Sequence, residues 1–160
     1  MDVREISKYN LIIGWLNIIF LSHNIAELME TVDKLKTSGN QALQNGDVDG
    51  AIKFYTDAIN EIDKVQGVKD LANSKAAIFS NRCAAYSKGG NYAMALKDAE
   101  EAIKVAPTWS KGYSRKGASL AYLGRHKEAL DAYNEGLKLD PDNSTLKSGI
   151  ADVENLMRGK

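Results

Sequence analysis

An all-α fold of stacked helical hairpins is the class this sequence predicts, and three observations carry it. Ala, Leu, Lys and Glu are abundant and only two prolines occur, Pro107 and Pro141, a composition that favours helix. Three segments repeat one pattern of small and ring-bearing residues: Ala51-Ile-Lys-Phe-Tyr55-Thr-Asp-Ala58-Ile, Ala95-Leu-Lys-Asp-Ala99-Glu-Glu-Ala102-Ile and Ala129-Leu-Asp-Ala-Tyr133-Asn-Glu-Gly136-Leu. The recurrence has a fixed period, because Ala95 to Ala129 and Pro107 to Pro141 are both 34 residues apart. That is the length of a helix–turn–helix unit. Ala51 to Ala95 is ten residues longer, so an insert lies between the first two units.

The first 28 residues stand apart. Leu11-Ile-Ile-Gly-Trp-Leu-Asn-Ile-Ile-Phe-Leu21 is an almost unbroken apolar run of eleven residues, shorter than the roughly 20 a membrane span requires. Arg4 and Lys8 precede it as in a signal peptide, but Asn24 sits where a cleavage site after Ala26 wants a small residue. Three readings stay open: an extra helix packed on the domain or on a second copy, a gene-model extension ahead of a start at Met29, or a signal or anchor. Left exposed, such a run promotes self-association. The expected organisation is therefore an apolar extension over 1–28 and a repeat domain over 29–160.

Within the repeat domain the first helices of the hairpins (A) read Val32–Asn45, Lys75–Lys88 and Ser110–Leu123. The second helices (B) read Val48–Lys64, Tyr92–Val105 and His126–Leu139. Glycine-bearing turns join them at Asn45-Gly46-Asp47, Gly89-Gly90-Asn91 and Gly124-Arg125. Pro107 and Pro141 follow B helices, where proline ends them. Small residues allow close backbone approach, namely Ala51, Ala58, Ala95, Ala102 and Ala129 on the B helices and Gly39, Cys83 and Gly117 on the A helices. The insert near 66–75 is either turn, from Gly67, Asp70 and Asn73, or lengthened helix, from Lys64-Val65 and Leu71-Ala72. Thr145 to Arg158 reads as a terminal helix whose Leu146, Ile150, Val153 and Leu156/Met157 cover the open face of the third repeat.

Composition narrows the function. Lys+Arg and Asp+Glu are 21 each, so the chain carries no net charge and lacks the basic excess of a general nucleic-acid binder. With 160 residues it holds one compact domain, and 44% hydrophobic against 26% charged content is that of a folded protein. One cysteine, Cys83, excludes a disulfide scaffold and a multi-Cys zinc site, and His23 and His126 are too far apart in sequence to suggest a metal pair. Cys83 reads as a buried, inert thiol. Asp98-Ala-Glu100-Glu101 with Lys97 and Lys104 reads as a charged helix surface, and Phe54, Tyr55, Phe79 and Tyr86 as core. No Gly-rich phosphate loop with a following Lys-Ser/Thr occurs, and no cofactor or metal is expected.

Stacked hairpins curve, with the A helices lining the hollow. Helix neighbours three or four residues apart share a face. On that face the first repeat carries Lys36 and Asn40, the second Asn81, and the third Lys111 and Arg115. Three cations and two carboxamides facing one groove suit an anion, above all a peptide end bearing a terminal carboxylate beside an Asp or Glu side chain. Lysine supplies a mobile point charge, arginine a flat fork for a carboxylate, and asparagine a donor and an acceptor. The like charges of Lys111 and Arg115 mildly destabilise their helix, a cost that an anion relieves.

The segments Leu35-Lys36-Thr-Ser-Gly39-Asn40, Ser80-Asn81-Arg82-Cys-Ala-Ala-Tyr86 and Trp109-Ser-Lys111-Gly-Tyr-Ser-Arg115-Lys-Gly117 resemble the tetratricopeptide-repeat modules of dicarboxylate-clamp co-chaperones. The likeness is nearest to the first repeat module of the stress-inducible Hop co-chaperone, and the small glutamine-rich repeat co-chaperones are also close. It covers about Met29 to Arg158. It implies an all-α fold of three tetratricopeptide repeats plus a C-terminal capping helix in a right-handed superhelical stack. It also implies a cytoplasmic, non-enzymatic adaptor for the Glu-Glu-Val-Asp tails of heat-shock chaperones, chiefly the seventy-kilodalton class and also the ninety-kilodalton class. The family's clamp positions match Lys36, Asn40, Asn81, Lys111 and Arg115. Leu43, Ala84, Lys88, Ser114 and Tyr122 are neighbouring groove positions for apolar side chains and upstream carboxylates. The alternative is an interaction or self-association module working through the convex face or through Leu11–Leu21.

Overall fold

The structure, a computed structural model, describes the backbone of residues 3–65 and 69–159, and the side chains of residues 15, 22–65 and 71–159. Seven helices follow in order: α1 Val3–Gln44, α2 Val48–Asp63, α3 Lys69–Lys88, α4 Tyr92–Val105, α5 Ser110–Tyr122, α6 His126–Leu139 and α7 Ser144–Arg158. No strand occurs among the described residues. Helices α1/α2, α3/α4 and α5/α6 form three hairpins, each packing on the next, and α7 closes the stack against α6 and α5.

The three hairpin turns are built alike. Gly46, Gly90 and Gly124 take φ of 83°, 77° and 74°, the left-handed region open to glycine. After each, a backbone N–H returns to a carbonyl of the ending helix: Asp47 to Ala42, Asn91 to Tyr86 and Arg125 to Leu120, each at 2.9 Å. These bonds satisfy carbonyls that the helix end would orphan. Asp47 and Asn91 then cap the next helix by accepting from the Gly50 and Met94 amides. Asn143 does the same for α7 through Leu146.

Each hairpin is held by close contact between its helices. A Cβ at Gly39 or Gly117 would lie 2.6 Å from the ring of Tyr55 or Tyr133, so each glycine seats a tyrosine sixteen residues on. In the middle hairpin the same spacing joins Cys83 to Ala99, within one buried cluster. The five alanines read as packing positions, Ala51, Ala58, Ala95, Ala102 and Ala129, are fully buried.

The insert resolves towards lengthened helix where it is described. Helix α3 begins at Lys69, and Leu71 is buried in the first core cluster with Ile59, Ile62 and Ile78. Gln66 and Gly67 lie outside the described residues. Two expectations are corrected. Asp98 is no surface charge; it is 1% exposed and bound by Arg82, because α4 turns that residue towards α3. Leu146 and Val153 of α7 are buried as expected, but Leu156 and Met157 are exposed, and Leu156 lines an open groove beside Ala121 and Tyr122 of α5. The helix backbone of α1 continues through the N-terminal extension. Of the side chains in Leu11–Leu21 only Trp15 is described, and the rest lie outside the described residues. No helix among the described residues is long and apolar enough to cross a membrane.

Candidate functional site

Three A helices bring their polar stripe to one cavity of about 490 Å³. Its walls are Asn40, Leu43 and Gln44 of α1, Asn81, Ala84 and Lys88 of α3, and Arg115 of α5, with Tyr55 of α2 behind them. Six of the ten residues singled out from sequence therefore meet here: Asn40, Leu43, Asn81, Ala84, Lys88 and Arg115. Two cations and three amides line the space, and none of the lining residues is acidic.

Hydrogen bonds fix how those groups present themselves. Asn40 Oδ1 accepts from the Tyr55 hydroxyl at 2.7 Å and from Asn81 Nδ2 at 3.1 Å. Both bonds end on the oxygen, so the Asn40 amide is held with its NH₂ group left as a donor. Burial raises the Tyr55 phenol above its ordinary value, which keeps it protonated and donating. Lys88 Nζ donates to the Leu43 carbonyl at 2.8 Å, tying α3 to the end of α1. Arg115 Nε leans on Ser80 Oγ at 3.4 Å. Among the described residues its two terminal nitrogens have no partner, so the flat fork is open to an anion.

Lys36 and Lys111 sit one helical turn before Asn40 and Arg115 and do not line the cavity. Lys36 Nζ is 2.5 Å from Asp33 Oδ1, an exposed pair of little net worth that an incoming anion can replace. Lys111 Nζ lies 5.6 Å from the centroid of the Trp109 ring. Partial burial, and then the neighbouring Arg115 charge, lower its ammonium below the usual value. The second and smaller of these causes is the like-charge repulsion expected for this pair. Ser114 and Tyr122 fall elsewhere, in a second groove of about 680 Å³ between α5 and α7. Tyr122 also stacks on Tyr92, with ring centroids 4.6 Å apart. Arg115 borders both spaces.

Sequence reasoning placed Tyr55 in the core, where it is, and missed that its hydroxyl reaches the site. The signal was available: a fully buried tyrosine needs a partner for its oxygen. Gln44 and Ser80 were not singled out either. Cys83 behaves as expected, 1% exposed with burial pushing its thiol pKa up.

Comparison with known proteins bears on the same helices. A family model described as tetratricopeptide repeat matches residues 110–143, which span α5, α6 and the turn into α7. The tetratricopeptide-repeat domain of Sgt2 from Aspergillus fumigatus superposes with a TM-score of 0.68 at 31% identity, covering 79% of this chain and 79% of that one. The chain belongs to the tetratricopeptide-repeat family. Its repeats are also homologous to the Sti1/Hop co-chaperones. The heat shock protein sti1 homolog of Schizosaccharomyces pombe is 40% identical over 122 residues, 76% of this chain and 19% of that protein. The first tetratricopeptide-repeat domain of Spaghetti (RPAP3), bound to the HSP90 peptide SRMEEVD, matches with a TM-score of 0.69 at 26% identity, over 81% of this chain and 97% of that one. The chain spans a third or less of the length of the first curated relatives it matches.

Proposed function

We propose that residues 29–160 form a peptide-binding adaptor module that grips the acidic C-terminal Glu-Glu-Val-Asp tail of heat-shock chaperones of the seventy- and ninety-kilodalton classes. Lys36, Asn40, Asn81, Lys111 and Arg115 form the carboxylate clamp, and Leu43, Ala84 and Lys88 contact the residues just upstream. The module is non-enzymatic and works in the cytoplasm. One observation carries this reading: donors from three successive hairpins surround an acid-free cavity, with the Asn40 amide and the Arg115 fork already oriented. The SRMEEVD peptide on the related RPAP3 domain supports it.

Affinity for such a tail is on the order of micromolar, because a short flexible peptide loses entropy on ordering. It falls with rising salt, which screens the charges. Calorimetry with a Glu-Glu-Val-Asp peptide tests the reading. Lys111→Ala or Arg115→Ala should remove most of the binding while circular dichroism shows unchanged helicity. Equal binding of the C-terminally amidated peptide would sink the clamp.

A further inference from the structure

Tyr55 and Tyr133 hold the same packing place in the first and third hairpins. Each ring lies under a glycine of its A helix, Gly39 or Gly117. The residue after that glycine differs. In the third hairpin it is Ala118, whose side chain has no polar atom. In the first it is Asn40, whose Oδ1 accepts from the Tyr55 hydroxyl at 2.7 Å. Tyr55 is 0% exposed, and among the described residues its hydroxyl makes no other hydrogen bond. A buried phenol proton needs an acceptor, and Asn40 Oδ1 supplies it.

The bond between the two asparagines leaves their orientation open by itself. Asn81 Nδ2 donates to Asn40 Oδ1 at 3.1 Å, which leaves the Asn40 NH₂ group as the donor in the cavity. Flipping both amides together keeps a bond of the same kind, from Asn40 Nδ2 to Asn81 Oδ1. Asn40 then offers the cavity a carbonyl oxygen instead. That oxygen repels a carboxylate and accepts from the NH₂ group of a carboxamide. Tyr55 is what separates the two arrangements, because the flip removes the acceptor of its proton. An unpaired buried donor holds the flipped pair at about a tenth of the population or below.

We propose that Tyr55 is a positioning residue that sets the chemical specificity of the clamp. By holding Asn40 and Asn81 in the first arrangement, it makes the cavity select an ionised carboxylate over a carboxamide of the same shape. Tyr55 touches no ligand and acts through Asn40. Specificity is a difference of affinities, and here most of the difference comes from penalising the wrong ligand. This rests on the carboxylate-clamp reading.

The test is NMR titration of the full chain with three peptides: free-acid Glu-Glu-Val-Asp, the same peptide amidated at its C-terminus, and free-acid Glu-Glu-Val-Asn. The last two each replace one of the paired carboxylates by a carboxamide. In Tyr55→Phe the asparagine pair is split evenly. The acid peptide should therefore weaken by about twofold, and the carboxamide peptide whose amide meets Asn40 should tighten by about fivefold, so their ratio falls about tenfold. A merely structural loss cannot tighten any ligand. Tyr133→Phe removes the equivalent hydroxyl from the third hairpin and should leave every ratio unmoved. Phenylalanine keeps the ring under its glycine in both variants, and circular dichroism checks that helicity is kept. If neither carboxamide peptide tightens in Tyr55→Phe, or if Tyr133→Phe tightens the same peptide equally, the role of Tyr55 is overturned while the clamp stands. Failure of free-acid Glu-Glu-Val-Asp to bind the unmodified protein overturns the clamp, and this role with it.

Discussion

The outer hairpins and the middle hairpin solve the same packing problem with different materials. In the first and third, a glycine on the A helix receives a tyrosine from the B helix. In the second, Cys83 faces Ala99, so bulk moves from the B helix to the A helix. The middle hairpin also holds an ion pair between its two helices, which has no counterpart in the other two among the described residues. Arg82 binds both oxygens of Asp98 at 2.8 Å and reaches Thr56 of the first hairpin at 2.9 Å. Its guanidinium also lies over the rings of Phe79 and Tyr86. The difference teaches that a repeat conserves contact volume more than residue identity. It also shows where freedom was spent. Tyrosines that fill the outer hairpins extend a hydroxyl towards the groove side, whereas the smaller middle pair extends none.

The strongest way to break the comparison is Asp98→Ala. It leaves a largely buried guanidinium unpaired and should cost about 3–5 kcal/mol of unfolding free energy in urea titration. A loss below 1 kcal/mol would mean that the tie is decorative. Next comes a transplant. Ala99→Tyr forces a ring onto Cys83 and should cost about 1–3 kcal/mol by overpacking. Adding Cys83→Gly recreates the outer pattern and should restore part of that stability. If the double variant is no better than the single, the outer and middle hairpins are not interchangeable. The mildest difference is read through pH. The folded Tyr133 phenol has its pKa raised to about 12 from 10.0, so the folded state holds its proton longer than the unfolded chain. Its stabilising contribution is complete below pH 10 and is lost as pH rises through about 12, with a slope of at most about 1.4 kcal/mol per pH unit. Subtracting the Tyr133→Phe profile from that of the parent isolates this slope from the other lysines and tyrosines, and a flat difference would refute it.

Much of this architecture was legible because it is periodic. The 34-residue spacing, the turn glycines and the two prolines located both ends to within a residue or two for five of seven helices, since local chemistry settles them. The exceptions are two starts: α1, read from Val32, begins at Val3 because the helix runs on through the N-terminal extension, and α3 begins early because the insert offered turn and helix residues together and the choice went to the burial of Leu71. Asp98 was misread because nothing near it in sequence announces its partner; Arg82 arrives from another helix. At the site, the helical stripe correctly brought Asn40, Asn81 and Arg115 together, but the hydrogen bonds that orient them come from Tyr55 and Ser80. Those partners lie 15 and 35 residues away and belong to no single-helix pattern. Leu156 obeyed the apolar spacing of α7 and still stayed exposed, because spacing says which face a residue occupies and not whether the neighbouring helix closes onto it or leaves a groove.

Arg115 stands at the border between an acid-free cavity and a groove that carries Asp152. A strand laid across it meets opposite electrical poles at its two ends, so the molecule has an intrinsic polarity along its hollow. A chain threaded backwards would bring its acidic terminus against the Asp152 carboxylate. The stack would thereby distinguish the direction of a bound strand as well as its composition.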